Sequence, residues 1–212
     1  MKSAGKCSFC GKEVSGSAMT KHLSSCGERI KYNASGSNAE KILLIKAEAG
    51  PFWVYFELSS SSKLGDIDQF LRDLWVECCG HLSVFKIGEM DYYSQKLEHG
   101  DKTMSIKLDG LLSEGMTFSY EYDFGTTTEL EMKCISERNG SVRGIKILSR
   151  NDPPEFVCDN CGKPAKEICS MCICEGGDTL FCESCAKKHK CGEDYLLPVV
   201  NSPRMGMCGY VG

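Results

Sequence analysis

From residue 41 onward, apolar runs alternate with short polar breaks. KILLIKAE (41–48) and FWVYFEL (52–58) are rich in β-branched and aromatic residues and are separated by Gly50-Pro51, which predicts two strands joined by a turn. After SSSSKLGD the period changes. Leu64, Ile67, Phe70, Leu71, Leu74, Trp75 and Cys78 recur at spacings of three, four and seven, with Asp66, Asp68, Arg72, Asp73 and Glu77 on the opposite face. This pattern predicts one long amphipathic helix that stops at Gly80. LSVFKI, SIKL, TFSYEYDF, LEMKCI and GIKIL then read as further strands, most of them bounded by Gly, Asn or Asp. One helix among many strands predicts an α+β domain built on a mainly antiparallel sheet.

The pattern is lost on both sides of this segment. GERIKYNASGSNAE (27–40) is polar and rich in Ser, Gly and Asn, and SRNDPPEF (149–156) holds a Pro-Pro pair that stops regular structure. The expected organisation is a small module over 1–30, a linker over 31–40, the α+β domain over 41–150 and a second small module over 151–212. The outer pieces are too short to bury an adequate core unaided and need another source of stability.

Cysteine supplies it. Of 15 cysteines, only Cys78, Cys79 and Cys134 lie in the central domain. Repeated Cys-x-x-Cys pairs place two thiolates on one turn, at the separation of two corners of a zinc tetrahedron. Disulfides would require an oxidising compartment. The chain begins MKSAGKC, without the apolar run of a signal peptide, and no stretch approaches a membrane span. An odd cysteine count and neighbouring histidines also favour metal, so a cytoplasmic zinc protein that does not enter a membrane is expected.

Near the amino terminus, Cys7-x2-Cys10-x11-His22-x3-Cys26 gives four ligands. SAMTKHLSSC has helical character, so His22 and Cys26 would share a helix face and aim at one ion. The segment resembles a zinc finger of the Cys-Cys-His-Cys type. At the carboxyl end stand Cys158, Cys161, Cys169, Cys172, Cys174, Cys182, Cys185, His189, Cys191 and Cys208, ten candidates where two tetrahedral sites need eight. This stretch resembles the B-box and MYND-type double zinc modules, in which ligand pairs interleave. That resemblance implies one zinc on Cys158, Cys161, Cys182 and Cys185 and another on Cys169, Cys172, His189 and Cys191. Cys174 or Cys208 are the substitutes for the second site. Three zinc ions in all are expected.

The central domain carries two further segments, ECCGHLSVF (Glu77 to Phe85) and YEYDFGTTTELE (Tyr120 to Glu131), and the chain closes with NSPRMGMCGY (Asn201 to Tyr210). On these residues it resembles the plasmid-Ri open-reading-frame-three-like proteins, also filed as transposon-passenger or TnpR-like. The resemblance spans roughly residues 41–148 and implies an α+β fold without implying recombinase activity. Thr126, Thr127 and Thr128 stand where that family usually has acidic and Trp residues. Cysteine beside histidine suits nucleophilic chemistry, with an aspartate to orient the imidazole, so His81 and Asp123 mark a possible pocket. The bland alternative makes Cys78 part of the helix stripe, His81 a capping group and Asp123 a turn former.

Charge narrows the function classes. The net charge is −4, and only residues 1–40 are basic, with six Lys/Arg against three Asp/Glu. A surplus of three charges gives weak, salt-dependent attraction to a phosphate backbone, and one finger reads only about three base pairs. No glycine-rich phosphate loop, nucleophile elbow or His-Glu-x-x-His helix is present in the sequence. The expected function is therefore a non-enzymatic zinc-binding adaptor with a protein partner. Binding of mobile-element DNA or ribosomal RNA through residues 1–30 is the alternative. Oligomeric state is not legible in the sequence.

Overall fold

The computed structural model describes residues 3–34 and 40–212. Its elements in chain order begin with β1 (Ala4–Lys6), β2 (Glu13–Ser15), α1 (Gly16–Ser25), α2 (Gly27–Ala34), β3 (Glu40–Ala49), β4 (Phe52–Ser59) and α3 (Leu64–Leu71). There follow β5 (Ser83–Ile87), β6 (Met90–Tyr93), β7 (Lys102–Thr103), β8 (Thr117–Tyr122), β9 (Thr128–Gly140) and β10 (Lys146–Arg150). The carboxyl-terminal region adds β11 (Glu167–Cys169), α4 (Ser170–Glu175), β12 (Leu180–Phe181), α5 (Glu183–Ala186) and β13 (Leu196–Pro198).

The centre is one sheet of eight strands in the order β10-β4-β3-β9-β8-β5-β6-β7, antiparallel except where β6 meets β7. This is the α+β, mainly antiparallel architecture expected. Strand β4 is buried along its whole length because its two faces meet different partners. Phe52, Val54, Phe56 and Leu58 join the main core with Leu64, Ile67, Leu71 and Trp75 of the helical segment. Trp53 and Tyr55, on the opposite face, pack against Met19 and Leu23 of α1, with Leu44 and Leu148. The amino-terminal module is thus docked on the second face of the sheet.

Glycines permit that close approach. A Cβ added at Gly5 would lie 2.0 Å from the carbonyl oxygen of Arg150, and one at Gly16 would lie 2.5 Å from Nε1 of Trp53. Because the first obstacle is backbone, Gly5→Ala is expected to lower stability by about 1–3 kcal/mol, the usual range for overpacking, as measured by urea unfolding. Wild-type stability in that variant would show that the module does not sit on the sheet.

Several local expectations change. The helix begins at Leu64 as expected, but α3 ends at Leu71 and continues as a π-helical turn over Arg72–Val76, with the Glu77 N–H donating to the Arg72 carbonyl. It therefore stops before Gly80. SIKL does not form a strand: Gly65 donates to the Met104 carbonyl, Leu64 to Ile106, and Leu108 to Ser62. Its backbone bonds are spent beside the start of α3, where Met104 and Leu108 enter the core. Part of the expected linker is helix α2, held by the buried Arg29, while residues 35–39 lie outside the described residues.

The carboxyl-terminal tail departs furthest from expectation. Residues 201–210 were expected within the second module, yet their side chains pack on the central domain. Ser202 Oγ donates to the Trp75 carbonyl at 2.6 Å, Arg204 is fully buried, and Arg150 donates to the Asn201 carbonyl. The other side of the tail meets the second module, since a Cβ at Gly206 would lie 2.4 Å from Cδ1 of Ile173. The tail is wedged between the two bodies.

Candidate metal centres

Among the described residues, four Cys/His clusters bring their ligand atoms within 4.8 Å of one another. In the first, the turn after β1 carries Cys7 and Cys10, and α1 delivers His22 one turn before Cys26. Cys10 Sγ lies 3.4 Å from His22 Nε2, and Cys7 Sγ lies 4.0 Å from Cys26 Sγ. A tetrahedral zinc with bonds of about 2.3 Å to sulfur and 2.0 Å to nitrogen has ligand edges of about 3.5–3.8 Å, so the residues present fit that ion. Cys7 and Cys26 are buried in the apolar contact with the sheet, which joins the ligand shell to the docking face.

The carboxyl-terminal module interleaves its pairs. Cys158, Cys161, Cys182 and Cys185 form one cluster, with Cys161 Sγ 3.5 Å from Cys182 and 3.7 Å from Cys185. Cys169, Cys172, His189 and Cys191 form the other, with Cys172 Sγ 3.4 Å from His189 Nε2 and 3.8 Å from Cys191. The small sheet β12-β11-β13 holds the two clusters together, because β11 ends at Cys169 and β12 runs into Cys182. Neither proposed substitute joins them. Cys174 is exposed and belongs to no cluster among the described residues, and Cys208 lies with Cys78, Cys79 and His81.

No disulfide joins any of the fifteen cysteines, all of which lie among the described residues. Within a cluster their titration is driven apart, because adjacent thiolates repel one another in the absence of a cation. The Ser184 hydroxyl and the Cys185 N–H bring Cys182 down to about 6. Hydrogen bonding with Cys182 and Cys161 pushes Cys185 up to about 12. Burial, followed by Cys169 and Cys191, takes Cys172 to about 12 as well. A divalent ion relieves this conflict by letting every thiolate form at neutral pH. Cys134 differs: burial in the sheet core raises it to about 11, and it packs as an apolar side chain.

His81 and Asp123 are brought together, with His81 Nδ1 3.6 Å from Asp123 Oδ1. The carboxylate is already engaged. Arg204 Nη2 donates to Oδ2 at 2.6 Å, Thr126 Oγ1 donates at 2.7 Å and the Gly125 N–H at 3.0 Å. Burial opposes ionisation, but these donors outweigh it and hold the Asp123 carboxyl well below the usual carboxylate range. The threonines after Asp-Phe-Gly therefore serve this network: Thr126 bonds Asp123, and Thr128 accepts from Arg204. Sequence reasoning singled out the aspartate and missed Arg204, its partner 81 residues away.

No protein-family profile matches the chain, and no curated protein matches it. Among solved structures, it is similar to a protein of unknown function, MM3350, from Methanosarcina mazei Go1, at 16% identity and a TM-score of 0.44. The match covers 52% of this chain and 69% of that one.

Proposed function

We propose that the protein is a non-enzymatic, cytoplasmic zinc adaptor, with one zinc in the amino-terminal finger, two in the carboxyl-terminal module, and a protein as its partner. The observation that carries this reading is the docking of α1. Met19 and Leu23 are fully buried against Trp53 and Tyr55, and Thr20 shares a hydrogen bond with the Tyr55 hydroxyl at 2.8 Å. A helix committed to the sheet in this way is not free to enter a nucleic-acid groove along that face. At the base of the finger Glu48 is paired with Lys46, while the adjoining groove, lined by Glu129 and Glu131, is unfavourable to phosphate. The carboxyl-terminal module leaves Val157, Met171 and Tyr195 exposed, single apolar side chains available for contact with a protein partner. A place among the transposon-passenger proteins is compatible with the Asp123 turn and the helical segment that ends at Val76, and it is part of this proposal.

Binding to DNA or ribosomal RNA is the second reading, because Lys6, Lys12 and Lys21 are exposed on the finger. Substituting these three together with Lys2, which lies outside the described residues, separates the two. Phosphate binding predicts that the salt dependence flattens by up to about four units of slope. The adaptor reading predicts unchanged zinc content and unchanged recovery of the protein partner. Affinity purification from the native host, analysed for both protein and RNA, makes the comparison. A large, salt-sensitive loss of nucleic acid in the variant would reverse the assignment.

A further inference from the structure

The fourth cluster has no counterpart in the spacing motifs. Cys78 and Cys79 are adjacent, His81 follows across Gly80, and Cys208 arrives from the tail 127 residues beyond the histidine. Its dimensions nevertheless resemble those of the other three. Cys78 Sγ lies 3.8 Å from Cys79 Sγ, Cys79 Sγ 3.6 Å from Cys208 Sγ, and His81 Nε2 3.3 Å from Cys208 Sγ. Both contacts of His81 Nε2 are shorter than a tetrahedral edge, slightly so at 3.3 Å to Cys208 Sγ and clearly so at 2.9 Å to Cys79 Sγ. As in the two clusters that contain His22 and His189, the imidazole presents Nε2 to the thiols.

We propose that Cys78, Cys79, His81 and Cys208 bind a further zinc ion, which clasps the carboxyl-terminal tail to the central domain. The site goes beyond the terminal modules and does not depend on their docking role. Three features support it. First, Nδ1 of His81 points toward Asp123 Oδ1 at 3.6 Å, longer than a hydrogen bond but close to the carboxylate–histidine arrangement of metal ligands, and Arg204 fixes that carboxylate. Second, the only non-glycine residues with positive φ among the described residues are Asp123 at 65° and Cys208 at 48°. Such backbone is strained for a non-glycine residue and persists where the surroundings require it. Both lie at this cluster. Third, the ligand turn is rigidly built: the N–H groups of Cys78 and His81 donate to the Tyr122 hydroxyl, which donates to Glu77, and Glu77 also accepts from Gly80. The π-helical turn just before it ends at Val76 and releases the chain into this arrangement.

Cys79 and Cys208 are exposed, whereas the other three clusters each bury at least two of their cysteines. The ion in this clasp should therefore be the first to yield to a chelator. Its release would loosen the end of the tail beyond Arg204, where Gly206 lies against Ile173.

The test is native mass spectrometry of full-length protein prepared with zinc under reducing conditions. Wild type is expected to carry four zinc ions, and Cys79→Ser/Cys208→Ser to carry three. His81→Gln serves as a second variant should the double substitution fail to fold. Under chelator titration, amide protection in residues 202–210 should fall before that of the terminal modules. Four ions in both proteins, three in both, or a Cys79–Cys208 disulfide in place of an ion would overturn the clasp. The two proposals fail separately: the difference between wild type and variant reports on the clasp, and the number retained by the variant reports on the terminal modules.

Discussion

Replacing Cys26 by Ser is expected to expose Trp53, shifting its fluorescence toward the red while the central helix keeps its amide protection. Trp53 is 3% exposed, its Nε1 donates to Ser3 Oγ at 2.8 Å, and its ring packs against Gly16 and the finger. The finger has little core of its own, so its fold depends on metal; a structural zinc contributes about 10 kcal/mol or more of apparent binding free energy. Losing one of four ligands removes most of that contribution, and the finger leaves the sheet. The face left behind contains Leu44, Trp53, Tyr55 and Leu148. Leu64, Ile67, Leu71 and Trp75 belong to the separate core on the other side, so hydrogen exchange over 64–76 should stay slow. The protein has two tryptophans, and the red shift should disappear in a Trp53→Phe background, where only Trp75 emits. Unchanged emission in Cys26→Ser, or loss of protection in the central helix alongside the finger, contradicts this account.

The elements that the sequence made legible are those in which a local pattern and its tertiary use coincide. Strands β3 and β4 are apolar runs because β4 is covered on both faces, and the three terminal clusters follow Cys-x-x-Cys spacings set by the geometry of one ion. Elements built from distant parts of the chain were hidden. GERIKYNA reads as linker because its residues are mostly polar, and it is held as helix by Arg29, which reaches a carboxylate 28 residues away. Cys208 looks like a spare ligand for the nearest zinc site until the tail folds back on Cys79. His81 and Asp123 could be suspected as a pair, but no local signal in the sequence gave Asp123 its guanidinium. Local spacing encodes the modules, whereas long-range pairing encodes how they are joined.

Glu57 is the clearest such joint, and Glu57→Ala is expected to cost about 3–5 kcal/mol, the range for removing one partner from a buried ion pair. The carboxylate lies on the face of β4 that meets the amino-terminal module and is fully buried. Arg29 Nη2 of helix α2 donates to it at 2.6 Å, while Arg138 of β9 donates from Nη2 at 2.7 Å and Nε at 3.1 Å. Its loss leaves two guanidinium groups facing each other without an anion, and one of them, Arg29, is itself buried. Burial alone would raise the Glu57 pKa, but the hydrogen bonds and charges of Arg138 and Arg29 outweigh it and hold the group below its ordinary value. The folded pKa therefore lies below the unfolded one, near 4.5. The stabilisation is present above that pH and fades as pH falls through the folded value. Urea unfolding of wild type and Glu57→Gln should show a gap that is full at neutral pH and narrows on acidification below about pH 4.5. Zinc loss in acid would also detach the module that carries Arg29, so the gap is read only over the pH range in which native mass spectrometry still finds the zinc in place. A double-mutant cycle with Arg29→Met then isolates the contact that holds α2, for which a coupling energy of roughly 1–3 kcal/mol is expected. No coupling, or a gap that widens in acid, would show that the module is held by its apolar face alone.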